Sequence, residues 1–184
     1  MAFVVTWRSP HLVTVSLAAL ALASRLPRLG RPDVMVFDEV FYASDAVDLL
    51  ARGVEGGQPV HPPLGKWLIA TGVELLGFVP LGWRIAPLAA GVALVALTAD
   101  IARPMALPRP AILLAGLFVV ADGIAITTGR LALLDGFAAL FAVAAVGSLL
   151  EVLRQGRGRG GLGRVGILLG LSLIHISEPT RHRR

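Results

Sequence analysis

The chain has 184 residues, of which 55% are hydrophobic and 16% are charged, whereas soluble domains carry about 25% charged residues. Its mean hydropathy of +0.76 indicates an integral membrane protein. The net charge of +5 does not indicate a nucleic-acid-binding protein, because the basic residues are scattered between apolar segments. The absence of cysteine excludes disulfides, thiolate metal sites and a cysteine nucleophile.

The apolar segments predict an all-α, multi-pass transmembrane protein, and the first segment lies close to the N-terminus. Residues 12–24 carry no charge, and the charge-free run from Ser9 would be about 24 Å long as a helix, slightly short of a ~30 Å hydrocarbon core. We expect a transmembrane helix over about residues 9–26. The alternative is a cleaved signal peptide, since Ala21-Leu22-Ala23 fits a cleavage site, but the apolar helices downstream favour the first interpretation.

The longest polar stretch covers about residues 27–82 and is predicted to be an extramembrane loop. Apolar residues at helical spacing predict a helix over residues 40–52 that stops at Gly53 and lies along the membrane interface. A second helix is predicted over residues 64–76, after Pro62-Pro63 and before Gly77. It is too short to span a membrane, so we expect an interfacial or re-entrant helix.

Three further transmembrane helices are predicted at residues 83–102, 110–128 and 131–150. Asp122-Gly123 interrupts the middle one near its end, so Asp122 is expected to be a helix-end residue. Asp135 is expected inside the first turns of the last one, where a charge in an apolar helix indicates a function or a partner such as Arg130. A fifth helix is predicted to begin at Val165.

The distribution of basic residues predicts the orientation of these helices, because short cytoplasmic loops carry an excess of positive charge. Two connections on the same side are basic, and we assign them to the cytoplasm; they contain Arg103, Arg109, Arg154, Arg157, Arg159 and Arg164. Residues 27–82 then lie on the extracytoplasmic face of the cell membrane. Arg25, Arg28 and Arg31 run against the rule on that face, and a lipid phosphate as ligand would account for them.

The composition changes abruptly near the C-terminus, where LSLIHISEPTR follows a segment rich in Gly, Arg, Leu and Val. This string resembles the translation of a sequencing-library adapter. We therefore expect residues 171–184 to be non-native and exclude them from the prediction of the fold. On this interpretation residues 1–170 are an N-terminal fragment, which would be inactive alone because later helices normally complete the cavity.

The predicted topology gathers polar side chains on one membrane face; they are Asp38, Glu39, His61, Lys66, Arg84, Arg130 and Asp135. They occur in four ordered motifs, FDEVFY at residues 37–42, VHPPLGKW at 60–67, GWRIAP at 82–87 and GRLALLD at 129–135. This ordered set resembles the N-terminal part of the protein O-mannosyltransferase family, glycosyltransferase family 39, over about residues 12–154. The resemblance implies a GT-C fold and transfer of mannose, with inversion, from dolichyl- or polyprenyl-phosphate mannose to Ser or Thr hydroxyls of secreted proteins.

The resemblance also implies roles for individual residues. Asp38 matches the acidic residue that accepts the proton of the acceptor hydroxyl, and Glu39 would assist in binding or positioning. A positioned base of this kind contributes about 10²–10⁴-fold to a rate. Cations are expected to stabilise the leaving phosphate, with Arg84 the first choice and Lys66 and Arg130 behind it. His61 and Asp135 complete the predicted substrate site, and we expect no metal or cofactor to be required besides the lipid-linked donor, although related enzymes can use a divalent cation.

Each of these residues also has a structural interpretation. The Asp38-Glu39 pair could cap the following helix, His61 could fix a loop, and Lys66 and Arg84 could anchor helices at the interface. At the level of the protein, the alternatives are a related GT-C transferase that moves a sugar to a lipid or glycan, and a non-catalytic membrane protein.

Overall fold

The computed structural model describes residues 11–54, 56, 61, 63–102, 105–155, 163, 165–168 and 170. The described residues form helices and connecting segments, without a strand. The seven helices are α1 (His11–Arg25), α2 (Glu39–Arg52), α3 (Pro63–Leu76), α4 (Pro80–Ile101), α5 (Arg109–Ala121), α6 (Gly123–Thr128) and α7 (Asp135–Gln155). The expected all-helical architecture is confirmed for this part of the chain.

The ends of α2 and α3 lie at the glycines that the sequence indicated. Gly53 has a φ of 71° and Gly77 a φ of 83°, and this left-handed conformation is accessible to glycine without a steric cost. The N–H of Gly53 donates to the carbonyl of Leu49, and the N–H of Gly77 donates to that of Val73. At the end of each helix, the glycine N–H thus satisfies a carbonyl that would otherwise lack a hydrogen-bond partner.

The central helix is α4, which packs against α1, α3, α5 and α7. Two clusters of buried side chains lie along it. The site-side cluster contains Tyr42, Ala43, Ala46, Ile69, Ala70, Val73, Trp83, Ala90, Ala132, Leu134 and Phe137. The distal cluster contains Leu17, Ala21, Val95, Ala99, Ala102, Ile112 and Val120.

The helix expected over residues 110–128 is two helices. The chain leaves the helical conformation at Asp122, where φ is −67° and ψ is 125°, and α6 begins at the next residue. The Asp122 carboxylate accepts a hydrogen bond of 2.7 Å from the backbone N–H of Ala125. Asp122 is thus a helix-end residue, as expected, because its side chain caps α6.

The helix expected over residues 131–150 begins four residues later, at Asp135. The sequence prediction placed this charge inside the helix, but it stands at the first residue, where a carboxylate interacts favourably with the helix dipole. Residues 131–134 form an irregular connection between α6 and α7. This connection lets the backbone of Ala132 reach the site described below.

Two described helices, Pro80–Ile101 and Asp135–Arg154, are long and apolar enough to cross a membrane. The apolar helices His11–Arg25 and Arg109–Ala121 are shorter. Residues 9–10, Arg103, Arg157, Arg159, Arg164 and the suspected adapter tail at 171–184 lie outside the described residues. Positions 165–168, where a fifth helix was expected, are helical.

Candidate functional site

The centre of the candidate site is a buried ion pair between Glu39 and Arg84, both of which are 0% exposed. Glu39 is the first residue of α2, and Arg84 lies near the start of α4. Arg84 Nε lies 2.8 Å from Glu39 Oε1, and Arg84 Nη2 lies 2.7 Å from Oε2. The two parallel hydrogen bonds form the bidentate pair that guanidinium and carboxylate groups prefer.

The remaining N–H groups of Arg84 hold the segment that precedes α2. Nη1 donates to the carbonyls of Leu29 at 3.1 Å and Pro32 at 2.8 Å, and Nη2 donates to that of Val34 at 3.0 Å. With the two bonds to Glu39, all five N–H donors of the guanidinium have a protein acceptor. A direct contact between Arg84 and a donor phosphate would therefore require this arrangement to open.

Glu39 accepts two more hydrogen bonds, both from backbone N–H groups. Val36 donates to Oε2 at 3.0 Å, and Ala132 donates to Oε1 at 2.9 Å. The carboxylate thus joins the segment before α2, the start of α4 and the connection between α6 and α7. We call Glu39, Arg84 and their backbone partners the Glu39–Arg84 clamp.

Asp38 differs sharply from its neighbour, because its side chain is exposed. It occupies the N-cap position of α2 but makes no side-chain cap hydrogen bond. Its carboxylate is contacted by the hydroxyl of Tyr42, which lies 3.4 Å from Oδ2. The structure thus shows an accessible carboxylate next to the buried clamp and does not support the capping interpretation for the Asp38 side chain.

The backbone just before Asp38 adopts an unusual conformation. Phe37 has a φ of 54°, a value that costs a bulky residue about 1–3 kcal/mol, and its ring is 77% exposed. Val36, which precedes it, and Glu39, two residues after it, belong to the clamp. The clamp therefore holds a strained turn that leads directly into Asp38.

His61 packs against the buried ring of Tyr42, with the ring centroids 5.3 Å apart and the planes at 87°. Burial raises the pKa of Tyr42 to about 12, and the negative charges of Asp38, Asp135 and Asp45 act in the same direction. The Tyr42 hydroxyl therefore stays protonated at neutral pH and can donate a hydrogen bond. Tyr42 belongs to the FDEVFY motif, yet the sequence prediction gave it no role.

Lys66 forms a second buried ion pair, with Asp45 of α2. Lys66 Nζ lies 2.8 Å from Asp45 Oδ2, and the two side chains are 0% and 1% exposed. The sequence prediction placed Lys66 near the donor phosphate and missed Asp45. A signal was present, because Asp45 follows Tyr42 by three residues and so lies on the same helix face.

Arg130 directs its guanidinium to the end of α1. It donates to the carbonyls of Arg25, Pro27 and Arg28, and not to Asp135, the partner considered from the sequence. Positive charge near the last carbonyls of a helix is favourable. Arg84 and Arg130 thus bind neighbouring parts of the segment from residue 25 to residue 34.

Asp135 is exposed and lines a cavity of about 500 Å³ between α4, α5, α6 and α7. Asp122, Thr98 and Thr128 are its other polar residues, and the rest of the lining is apolar. The structure therefore leaves the acidic groups Asp38 and Asp135 accessible, while Arg84, Lys66 and Arg130 face protein acceptors.

Among the described residues, no three His, Asp or Glu side chains group as metal ligands. The expectation that no metal is required stays a prediction.

Comparison with known proteins agrees with the motifs at residues 60–67, 82–87 and 129–135, which lie within the residues that match a family model. Residues 60–175 match the family model described as dolichyl-phosphate-mannose-protein mannosyltransferase. The chain is 41% identical to the polyprenol-phosphate-mannose–protein mannosyltransferase of Mycolicibacterium smegmatis over 146 residues, which cover 75% of this chain and 28% of that protein. It is 39% identical to the protein of the same name from Mycobacterium tuberculosis, over 91% of this chain and 33% of that protein.

A third relative with this name, from Corynebacterium glutamicum, is 32% identical over 73% of the chain and 29% of its own length. The chain thus spans about a third of the length of the relatives that it matches. The family model covers more than half of the chain, and the apolar helices agree with a membrane-embedded protein. The chain belongs to the dolichyl-phosphate-mannose-protein mannosyltransferase family.

Proposed function

We propose that this chain contributes the catalytic base of a membrane enzyme that transfers mannose from polyprenyl phosphate mannose to Ser or Thr hydroxyls of exported proteins. The names of the relatives support the donor and the protein acceptor. The observation that carries the proposal is the contrast within the acidic pair. Asp38 is exposed, whereas Glu39 is completely buried in the clamp.

In the proposed reaction, the oxygen of the acceptor hydroxyl attacks the anomeric carbon of mannose, and its proton passes to the Asp38 carboxylate. The bond between that carbon and the phosphate oxygen breaks on the opposite face, and the phosphate leaves with the electron pair. The sugar configuration therefore inverts. A hydroxyl is a weak nucleophile, so a positioned base lowers the barrier by an amount worth about 10²–10⁴-fold in rate.

Glu39 and Arg84 have a positioning role in this proposal. Their side chains have no free donor or acceptor directed at a substrate, but they fix the turn that carries Asp38. The departing phosphate needs positive charge nearby, and Arg28 and Arg31 on the clamped segment are exposed. We therefore assign Arg84 an indirect part in phosphate binding, through the shape of the segment that it holds.

The cavity lined by Asp135 is the place that we assign to the donor. Its mostly apolar wall suits the isoprenoid chain, and carboxylate oxygens can accept hydrogen bonds from sugar hydroxyls. In the proposed GT-C arrangement, the helices cross the cell membrane several times and residues 27–82 lie on the extracytoplasmic face. This orientation brings the site to the side on which exported proteins present their hydroxyls.

Replacement of Asp38 by Asn tests the proposed function in a protein that has the length of the relatives. The amide keeps the shape of the side chain but cannot accept the proton, so we expect transfer from polyprenyl phosphate mannose to a Ser/Thr peptide to fall at least about 100-fold. Asp48→Asn is the matched control, because Asp48 lies in the second half of α2 and pairs with the exposed Arg52; its rate should stay within about twofold. Full activity of Asp38→Asn would overturn the assignment.

A further inference from the structure

Tyr42 follows Asp38 by one helical turn, so the two side chains lie on the same face of the polypeptide. The Tyr42 hydroxyl is 3.4 Å from Asp38 Oδ2. Hydrogen bonds between a hydroxyl and a carboxylate are usually about 2.5–2.7 Å long, and contacts of this kind often tighten when substrate binds. A small movement of the exposed Asp38 side chain would complete the bond.

The position of the Tyr42 hydroxyl is fixed by the packing of its ring. Tyr42 is 4% exposed and belongs to the site-side cluster, and His61 packs edge-on against it from outside α2. Buried aromatic rings have few accessible rotamers, since the close-packed interior leaves no space for others. The hydroxyl is thus a fixed donor beside an exposed carboxylate.

The charged groups around Tyr42 keep this donor in its neutral form. Asp38, Asp135 and Asp45 act on it electrostatically, Lys66 pairs with Asp45 on the side of α3, and His61 contacts the ring. Together with burial, the three carboxylates oppose a negative charge on the phenol oxygen. Tyr42 therefore donates a proton in a hydrogen bond and does not compete with Asp38 as a base.

We propose that Tyr42 is the positioning residue for Asp38, because its hydroxyl holds Oδ2 and leaves Oδ1 directed at the acceptor hydroxyl. This inference rests on the proposed function of Asp38 as the base. A catalytic group must be held within about 0.5 Å of its productive position, and an exposed Asp side chain needs a fixed neighbour to achieve this. Through His61, which packs on the Tyr42 ring, the VHPPLGKW motif then helps to position Asp38 indirectly.

The test is Tyr42→Phe in a protein that has the length of the relatives, with steady-state kinetics and thermal unfolding measured together. The phenyl ring preserves the packing against His61 and removes only the hydroxyl. We expect kcat to fall about tenfold, while KM for donor and peptide stays within about twofold and the melting temperature is unchanged. Phe41→Leu, at the exposed neighbouring position, is the control and should retain the wild-type kcat.

A double-mutant cycle separates positioning from a general structural effect. In an Asp38→Asn background, Tyr42→Phe should leave the residual rate unchanged within about twofold, because the base that it positions is gone. A further tenfold loss in that background, or a wild-type kcat for Tyr42→Phe alone, would overturn the inference. An active Asp38→Asn variant would instead overturn the proposed function, so the two failures are distinguishable.

Discussion

The two clusters along α4 are stabilised in different ways. The distal cluster consists of apolar side chains from α1, α4 and α5, together with Ala102. The site-side cluster surrounds two buried ion pairs, Glu39–Arg84 and Asp45–Lys66. Apolar packing tolerates many combinations of similar volume, whereas a buried charge needs one particular partner. The positions of the helices and of the segment before α2 are therefore defined more strictly in the site-side cluster than in the distal cluster.

Buried ion pairs are weak evidence for stability, because desolvation of the charges offsets most of their attraction. Beside the exposed Asp38 carboxylate, they serve instead to fix the backbone. The Glu39–Arg84 clamp fixes backbone groups from the segment before α2 and from the α6–α7 connection. We interpret the site-side cluster as the part of the fold that holds Asp38, and the distal cluster as its apolar support.

The largest expected effect on stability is that of Arg84→Met. The change leaves Glu39 buried without its cation, and broken buried pairs cost about 3–5 kcal/mol. Arg52→Met is the matched control, since Arg52 forms an exposed pair with Asp48 one helical turn away, and such pairs contribute about 0.3–0.5 kcal/mol. Thermal unfolding of the two purified variants in the same detergent measures the contrast, and equal losses would contradict the role given to the clamp.

A smaller effect is expected from added methyl groups at helix contacts in the two regions. A Cβ at position 72 would clash with the carbonyl oxygen of Gly82, a backbone atom, whereas one at position 116 would clash with a terminal methyl of Leu17. Overpacking costs about 1–3 kcal/mol, and a side-chain end can move more easily than a backbone. Gly72→Ala should therefore lower the melting temperature more than Gly116→Ala, and the reverse order would contradict the account.

The sequence predicted the local features of the fold well. Gly53 and Gly77 end helices because glycine accepts the left-handed conformation at low cost. Apolar spacing places the start of α2, and Pro62-Pro63 the start of α3, within one residue of the observed starts. The start of α7 was less accurate, because the apolar residues 131–134 extend the helical pattern although Ala132 bonds to Glu39 instead. The spacing of apolar residues indicates local helix formation, but it does not reveal a hydrogen bond between residues as far apart in the chain as Ala132 and Glu39.

The sequence named candidate site residues, whose membership of a substrate site stays a prediction, but it did not show how they pair. Motif resemblance identified Asp38, Glu39 and Arg84, yet nothing local in the sequence shows that Arg84 binds a carboxylate 45 residues away. The same applies to Lys66, whose partner Asp45 was missed. Partners in a buried network depend on how helices pack, so these pairings appear only in the structure.

The claim that Asp38 is the base and Glu39 a positioning residue is tested most directly by the mannose-transfer rate per folded molecule of variants at these two positions. Asp38→Asn and Glu39→Gln are matched changes, and thermal unfolding gives the folded amount of each. We expect Asp38→Asn to keep the wild-type melting temperature and to lose at least about 100-fold in rate, whereas Glu39→Gln should lower the melting temperature because it weakens the buried pair. A stable, inactive Glu39→Gln beside an active Asp38→Asn would contradict the claim.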